Sequence, residues 1–178
     1  MQERVVDVDE WMKTVRELLE LGKEVPVLVT GNSMFPFLVH KRDTVLVKQA
    51  GCPLRKGEIV FYQRPSGQYV MHRIIRIDDG KLYLAGDAQT VLEGPLPDHC
   101  VFGEIIAVER KGKWIRQGDF WWDFFAGPWL VLRPLRGYIL AVRRKAAQIV
   151  QVIRGRKRRY TKNTEREQIN GHIEKGGS

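Results

Sequence analysis

Residues 30–38 of the chain read TGNSMFPFL and lie between two strand-like apolar runs, Val25–Val29 and Thr44–Lys48. This arrangement predicts a turn that carries a serine between two strands. Gly31 tolerates a positive φ because it lacks Cβ, and Pro36 fixes φ on the far side of the serine. A serine held between two such restraints has a defined direction, as a nucleophile requires, although most loop serines only cap a turn.

Around this turn, from Val25 to Arg116, apolar residues recur with a period of two, which is typical of strands. Short turn signals such as Pro65-Ser66-Gly67 separate the runs. The predicted strands are Val25–Thr30, Thr44–Lys48, Glu58–Tyr62, Gln68–Ile77, Lys81–Ala85, Val101–Arg110 and Lys113–Arg116. Many short strands joined by tight turns predict a mainly β domain, folded as a sandwich or a partly open barrel.

A helix is predicted before the first strand, over Asp7–Gly22. Asp9 is the expected N-cap, and Gly22 suits the position just after the last turn. Apolar residues at helical spacing predict which face is buried. They are Trp11, Val15, Leu18 and Leu19.

The C-terminal part begins with a dense aromatic and apolar run, Phe120–Leu132, which is shorter than the about 20 residues that a bilayer-spanning helix needs. A helix with apolar and basic residues is predicted next, over Gly137–Ile153. Tryptophan close to arginine favours a segment lying on a membrane surface, and ordinary packing of a helix on the sheet is the alternative. We therefore expect four parts: an N-terminal helix (1–24), a β domain (25–118), an aromatic and basic amphipathic extension (119–153) and a basic, disordered tail (154–178).

The composition narrows the classes of partner. The 178 residues are 43% apolar and carry a formal net charge of +9, which suits a folded domain with an anionic partner. Eleven Lys or Arg and no Asp or Glu lie between Arg133 and Lys162. Cys52 and Cys100 follow no metal-ligand spacing, so we expect unpaired thiols and no metal or cofactor. The charged residues 1–10 contain no apolar segment, so neither a signal peptide nor an N-terminal anchor is expected.

One histidine, His72, lies inside a predicted strand among apolar neighbours. An imidazole in that setting is more often a hydrogen-bonded structural residue than a functional one. With the turn-held Ser33 upstream, however, a serine–histidine pair becomes a hypothesis. In such a pair the imidazole takes the serine proton during attack and returns it to the leaving amine.

Two acidic residues are candidates for orienting that imidazole. Asp87 follows Gly86 at the end of a predicted strand, and Glu93 lies six residues later in a predicted loop before Pro95. An acid hydrogen-bonded to the imidazole would fix its tautomer and stabilise the imidazolium. The alternatives are an Asx turn at Asp87 and a solvated loop charge at Glu93, so both acids stay open.

Several short motifs together resemble the signal peptidase I family and, more broadly, the S24/S26 serine peptidases that include the LexA-type repressors. In chain order they are Gly31–Leu38, Arg42–Val47, Lys56–Phe61, Val70–Ile75, Gly86-Asp87 and Val101–Ile105. The resemblance covers roughly Val25–Val108. It implies a mainly β fold with a coiled, partly open β-barrel, and it implies that Ser33 is the nucleophile.

The general base divides that family. Most of its bacterial members carry a lysine where this chain has His72, whereas the endoplasmic-reticulum, archaeal and some spore-former enzymes carry histidine, so the chain is similar to the histidine branch. That branch has an acid about six residues after the Gly-Asp pair, which corresponds to Glu93, where aspartate is usual. Two further positions depart from the family: Phe35 stands where glutamate is common, and Gly31 where many members have a hydroxyl residue of the oxyanion hole.

The resemblance implies a serine endopeptidase that cleaves a signal or leader peptide bound as an added strand at a sheet edge. The expected partners are a peptide or precursor protein and, through residues 120–153, an anionic membrane surface, whereas nucleic acid is not expected. We therefore expect the protein to be associated with a membrane, either peripherally or through a weak anchor. Two alternatives stay open: a LexA-like regulator that cleaves itself, and a catalytically degenerate β scaffold whose basic tail binds anionic membrane or nucleic acid.

Overall fold

The computed structural model describes residues 7–143, 145, 146 and 148. The chain divides into two compact units, Met1–Gly137 and Tyr138–Ser178. The elements of the first are α1 (Val8–Glu20), β1 (Val25–Leu28), β2 (Asp43–Gln49), β3 (Ile59–Gln63), β4 (Tyr69–Asp78), β5 (Lys81–Ala85), β6 (Glu93–Pro97), a 3-10 turn (Asp98–Cys100), β7 (Val101–Arg110), β8 (Lys113–Arg116), α2 (Phe120–Ala126), α3 (Pro128–Val131) and a second 3-10 turn (Arg133–Leu135). In the second unit residues 138–143 are helical, and the expected tail, 154–178, lies outside the described residues.

The strands form one antiparallel sheet in the order β1-β2-β7-β3-β4-β5-β6, which confirms the mainly β prediction. β7 is its centre: β2 pairs along one edge, while β3 and β8 share the other edge, with β3 near Gly103 and β8 from Ala107 to Arg110. The sheet is not closed into a barrel, because β1 and β6 end the order and do not pair with each other among the described strands.

All seven predicted strands are present close to their predicted bounds, but an eighth, β6, was missed. It pairs with β5 through Leu82 opposite Leu96 and Leu84 opposite Glu93. The prediction of a loop over Glu93 is therefore wrong. Pro95 and Pro97 are usually strand breakers, but an edge strand tolerates proline because its outer side needs no ladder hydrogen bond.

The helix α1 covers the sheet with a face rotated from the one predicted. Val15 and Leu19 are buried as predicted, but Met12 is buried in place of Trp11 and Leu18, which are exposed. Both sets satisfy helical spacing, and only docking on the sheet distinguishes them. The N-cap is Asp7 rather than Asp9, since the Asp7 carboxylate accepts from the backbone N–H of Asp9 at 3.0 Å.

The aromatic run forms α2 and α3, which pack into the core of the first unit. Trp122, Phe125 and Trp129 are buried, and the Trp122 ring meets Phe37 edge-on at 5.8 Å between centroids. Packing on the sheet thus accounts for part of this run, while Trp121 stays exposed. Among the described residues, none of the helices combines the length and the apolar character that crossing a bilayer demands.

The sheet has a buried cluster on each face. Ile59 and Phe61 of β3 belong to the cluster beneath the helices, whereas Val60 and Tyr62 belong to the other. Because neighbouring residues of a strand point to opposite faces, the two clusters lie on opposite sides of the sheet. Both cysteines are free thiols, as predicted.

Candidate active site

The turn that carries Ser33 follows β1 and is held on both sides. Gly31 has φ +87°, where a side chain would be strained, and its N–H donates to Nδ1 of His40 at 3.0 Å. Phe37 and Leu38, further along the turn, are fully buried. Ser33 itself is half-buried and lies on a firmly anchored loop.

The backbone of Ser33 packs directly against the segment that follows β5. The N–H of Ala88 donates to the Ser33 carbonyl at 2.9 Å. A Cβ at Gly86 would lie 2.3 Å from the same carbonyl oxygen, which is closer than atoms approach. Glycine at position 86 therefore allows the two segments to meet, and this contact brings the residues after β5 to the serine.

Asp87, the first candidate acid, binds an arginine. Its carboxylate accepts from Arg73 Nε at 3.0 Å and from an Arg73 terminal nitrogen at 2.9 Å, and both side chains are fully buried. Arg73 also donates to the carbonyl of Gly57 at 2.8 Å, and Trp129 Nε1 donates to the Asp87 carbonyl at 3.0 Å. Asp87 thus ties the loop after β5 to β4 and α3, and its charge acts on His72 only through space.

Glu93, the second candidate, meets the imidazole. His72 lies on β4 opposite Val60 of β3 and is 1% exposed. Its Nδ1 is 3.3 Å from Oε2 of Glu93 and 3.1 Å from the hydroxyl oxygen of Tyr62. Sequence reasoning missed the Tyr62 contact, although the two-residue period places Tyr62 and His72 on one face of neighbouring strands.

Arg64, in the turn between β3 and β4, also binds the Glu93 carboxylate. Both carboxylate oxygens accept from the guanidinium, one of them at 2.7 Å. These hydrogen bonds lower the pKa of Glu93, so that it is ionised at neutral pH. The imidazole therefore faces a fixed negative charge.

Burial controls the protonation of the imidazole. It lowers the pKa of His72 to about 4, although the Glu93 charge opposes it. The Arg64 charge lowers this pKa further and partly cancels the effect of Glu93. His72 is consequently neutral at pH 7, which is the state that a general base requires.

Ser33 and His72 line one cleft of about 600 Å³, walled by Val27–Val29 on the side of β1, by residues 68–72 at the start of β4 and by Trp11 of α1. Within residues 7–143, the Ser33 hydroxyl forms no hydrogen bond, to His72 or to any other group. The backbone N–H of Ser33 has no acceptor within these residues either. Catalytic hydrogen bonds often tighten only when substrate is bound. The cleft thus brings together the serine and the imidazole without joining them.

Two strand edges in this cleft have no strand partner among the described residues. Val29 N–H donates to Asp43 across β1 and β2 at 3.0 Å, so the backbone groups of Leu28 point to the outer edge. Ile74 of β4 exchanges hydrogen bonds with the segment before β3, at 2.8 Å each. By the same alternation the backbone of Met71 points away from β3, on the side where β5 stops opposite Arg73.

Neither metal ligands nor similar known proteins help to identify the function of this cleft. Among residues 7–143, no group of three or more His, Cys, Asp or Glu side chains is placed to hold a metal ion. A scan against models of known protein families found no match to this chain, and a search of curated proteins found none either.

Proposed function

We propose that the chain is a serine endopeptidase of the signal-peptidase type, with Ser33 as nucleophile, His72 as general base and Glu93 as the orienting acid. The observation that carries the proposal is the shared cleft: Ser33 and a buried, neutral His72 line it together, and Glu93 meets the imidazole from behind. Asp87 is left out of the catalytic set, because its carboxylate is occupied by Arg73.

The chemistry follows from the side of the imidazole that Glu93 contacts. An ionised carboxylate near Nδ1 favours a proton there, which leaves Nε2 with its lone pair. Nε2 takes the hydroxyl proton of Ser33 as Oγ attacks the peptide carbonyl, and it passes that proton to the leaving amine. Water then releases the acyl group from Oγ with the same base. The backbone N–H of Ser33, which has no acceptor within residues 7–143, is the proposed donor to the oxyanion.

The two unpaired strand edges support an extended peptide as substrate. A chain lying between Leu28 and Met71 would hydrogen-bond to backbone groups of both edges, as in β-strand addition. Leu28, Met71 and Ser33 all line the cleft of about 600 Å³. We therefore propose a signal or leader peptide as the substrate class, and for the fold the coiled β architecture of the signal peptidases and LexA-type proteins.

A membrane surface is the proposed site of action. Phe120 and Trp121 of α2 are 72% and 53% exposed, which suits aromatic side chains at a lipid–water interface. Trp122 and Trp129 are buried, so they support the sheet and take no part in this contact. The proposal is a peripheral association that brings the cleft to membrane-bound precursors.

Replacing Ser33 by Ala tests the proposal. Peptides with signal or leader sequences are incubated with the full chain, and cleavage is followed by mass spectrometry. We expect Ser33→Ala to abolish cleavage, because the variant removes the hydroxyl that acts as the nucleophile. Ser66→Ala, an exposed turn serine, is the matched control and keeps full activity. Equal cleavage by the wild type and Ser33→Ala would falsify the mechanism, and the intact mass of the chain in the same incubation tests self-cleavage.

A further inference from the structure

We infer that Tyr62 is a positioning residue for His72: its hydroxyl shares the Nδ1 proton with Glu93 and so keeps Nε2 free to accept the proton of Ser33. The inference rests on the proposed function and adds a residue that the sequence motifs do not contain. Its starting point is that Nδ1 has two polar neighbours, the Tyr62 oxygen at 3.1 Å and Glu93 Oε2 at 3.3 Å.

The chemistry of those neighbours assigns the proton. An ionised carboxylate only accepts hydrogen bonds, and a bare Nδ1 lone pair facing it would be repelled. Nδ1 therefore carries the proton, and the Tyr62 oxygen is a second acceptor for it. The hydroxyl proton of Tyr62 is then directed away from the imidazole, towards the carboxylate. Nε2 is left unprotonated on the opposite side of the ring.

The setting of Tyr62 shows why a hydroxyl is placed there. The residue is fully buried on β3, in the apolar cluster that includes Val70 and Leu84. A phenylalanine would fill the same space without introducing a polar atom into an apolar environment. A buried tyrosine hydroxyl needs a hydrogen-bond partner, and the imidazole of His72 is that partner.

The charged groups around the imidazole come from three directions. Glu93 approaches from β6, Arg64 from the turn between β3 and β4, and Asp87 from the loop after β5. The two acids raise the pKa of His72, whereas Arg64 and, above all, burial lower it. Burial and the nearby Glu93 charge raise the pKa of Tyr62, so the phenol stays protonated throughout the working range.

Removing the Tyr62 hydroxyl and removing the Glu93 charge should therefore have opposite effects. In Tyr62→Phe, the carboxylate loses a competitor for the Nδ1 proton and interacts more strongly with the imidazolium, so the pKa of His72 rises, by about one unit. In Glu93→Gln, the negative charge is gone and that pKa falls. A structural role for Tyr62 in filling the core predicts no change, because phenylalanine fills it equally.

The experiment is ¹⁵N NMR of the imidazoles in the full chain, titrated with pH, with the His72 signals assigned by their absence in His72→Gln. We expect the neutral wild-type ring to carry its proton on Nδ1. Tyr62→Phe should raise the titration midpoint and shift the acid limb of kcat/KM by the same amount. Tyr83→Phe is the matched control: it removes the hydroxyl of a β5 tyrosine whose ring lies against Arg76. It should leave the titration midpoint and the acid limb of kcat/KM unchanged.

Two results would overturn the inference. One is a His72 imidazole that carries its proton on Nε2 in the neutral wild-type chain. The other is a Tyr62→Phe chain whose midpoint and pH profile match those of Tyr83→Phe. Failure of the proposed function looks different: Ser33→Ala would still cleave peptides, while the NMR tautomer and its dependence on Tyr62 would be unaffected.

Discussion

Two carboxylates near the cleft, Glu93 and Asp87, differ in what they bind. Glu93 lies against the His72 imidazole and is partly exposed, whereas Asp87 forms a fully buried pair with Arg73. A carboxylate that orients a base affects the rate, and a carboxylate in a buried ion pair affects the fold. The two acids, which look alike in the sequence, should therefore be separable by substitution.

We predict that Glu93→Gln lowers kcat by about 10² to 10⁴ and the free energy of unfolding by less than about 1 kcal/mol. Asp87→Asn should instead lower the free energy of unfolding by about 3–5 kcal/mol, because it leaves Arg73 buried without its counter-charge. Urea unfolding and peptide cleavage measure the two effects, with the exposed Asp78→Asn as control. A catalytic loss in Asp87→Asn at full stability would reverse the two roles.

The buried imidazole also makes stability depend on pH. The pKa of His72 is about 4 in the folded chain and about 6.5 when unfolded, so between these values only the unfolded chain binds the proton. The free energy of unfolding therefore falls as pH falls, by about 2 kcal/mol between pH 7 and pH 5. Urea titrations at the two pH values check this, and His72→Gln should lose most of the difference. An equal fall in the free energy of unfolding in the wild type and His72→Gln would show that a group other than His72 binds the proton.

At the level of elements, β1 and β4 each have backbone groups on two sides. Those on the paired side hold the sheet together, and those on the unpaired side are available to a substrate. Met71 has its backbone groups on the open side of β4, whereas those of its neighbour Val70 point to β3 by alternation. The same strand thus contributes to the sheet with one residue and, under the proposed function, would bind the peptide with the next.

We predict that Met71→Pro leaves the chain folded and lowers kcat/KM for peptide cleavage about 10-fold, since it removes one backbone N–H from the open edge. Val70→Pro is the matched variant: it removes a ladder hydrogen bond and should destabilise the fold by about 3 kcal/mol or more. Circular dichroism and peptide cleavage follow the two outcomes. Unchanged kcat/KM in a folded Met71→Pro chain would argue against strand addition at this edge.

The helix α2 presents two adjacent tryptophans to different surroundings. Trp122→Ala should lower the free energy of unfolding by about 3–5 kcal/mol, because its buried ring packs on Phe37. Trp121→Ala should change it by no more than about 0.5 kcal/mol but weaken binding to phosphatidylserine vesicles. Thermal unfolding and vesicle sedimentation measure the two quantities. If Trp121→Ala bound vesicles as the wild type does, α2 would not be part of the proposed membrane contact.

For the molecule as a whole, the charge is concentrated at one end of the chain. Residues 138–178 contain eleven Lys or Arg and three Asp or Glu, which accounts for eight of the nine net positive charges. The unit that contains the sheet and cleft is therefore close to neutral. Attraction to anionic surfaces should come from the C-terminal segment, and peptide chemistry from the rest.

A chain that ends at Gly137 should still cleave a soluble peptide, because every residue of the candidate site lies before that point. Its binding to anionic vesicles should weaken strongly and lose most of its salt dependence. Sedimentation with vesicles at 50 mM and 300 mM salt, beside a cleavage assay, measures both. If the shortened chain bound vesicles as the full chain does, the basic segment would not be the attachment.

Local stereochemistry made much of this protein predictable. The two-residue alternation predicted β5, β7 and β8 at their observed bounds, since adjacent strand residues face opposite sides whatever their partners are. The restraints around the Ser33 turn and the C-terminal charge excess are equally local, so the sequence alone determined them.

Tertiary structure decided what depends on distant segments meeting. Helical spacing allowed two buried faces for α1, and docking on the sheet selected the one with Met12. The pairing of β5 with β6 put Glu93 beside His72, the pairing of β3 with β4 put Tyr62 there, and Arg73 took Asp87. Periodicity repeats within a strand and carries no information on which strand lies next to it, so the partners of the imidazole emerged only when the sheet was assembled.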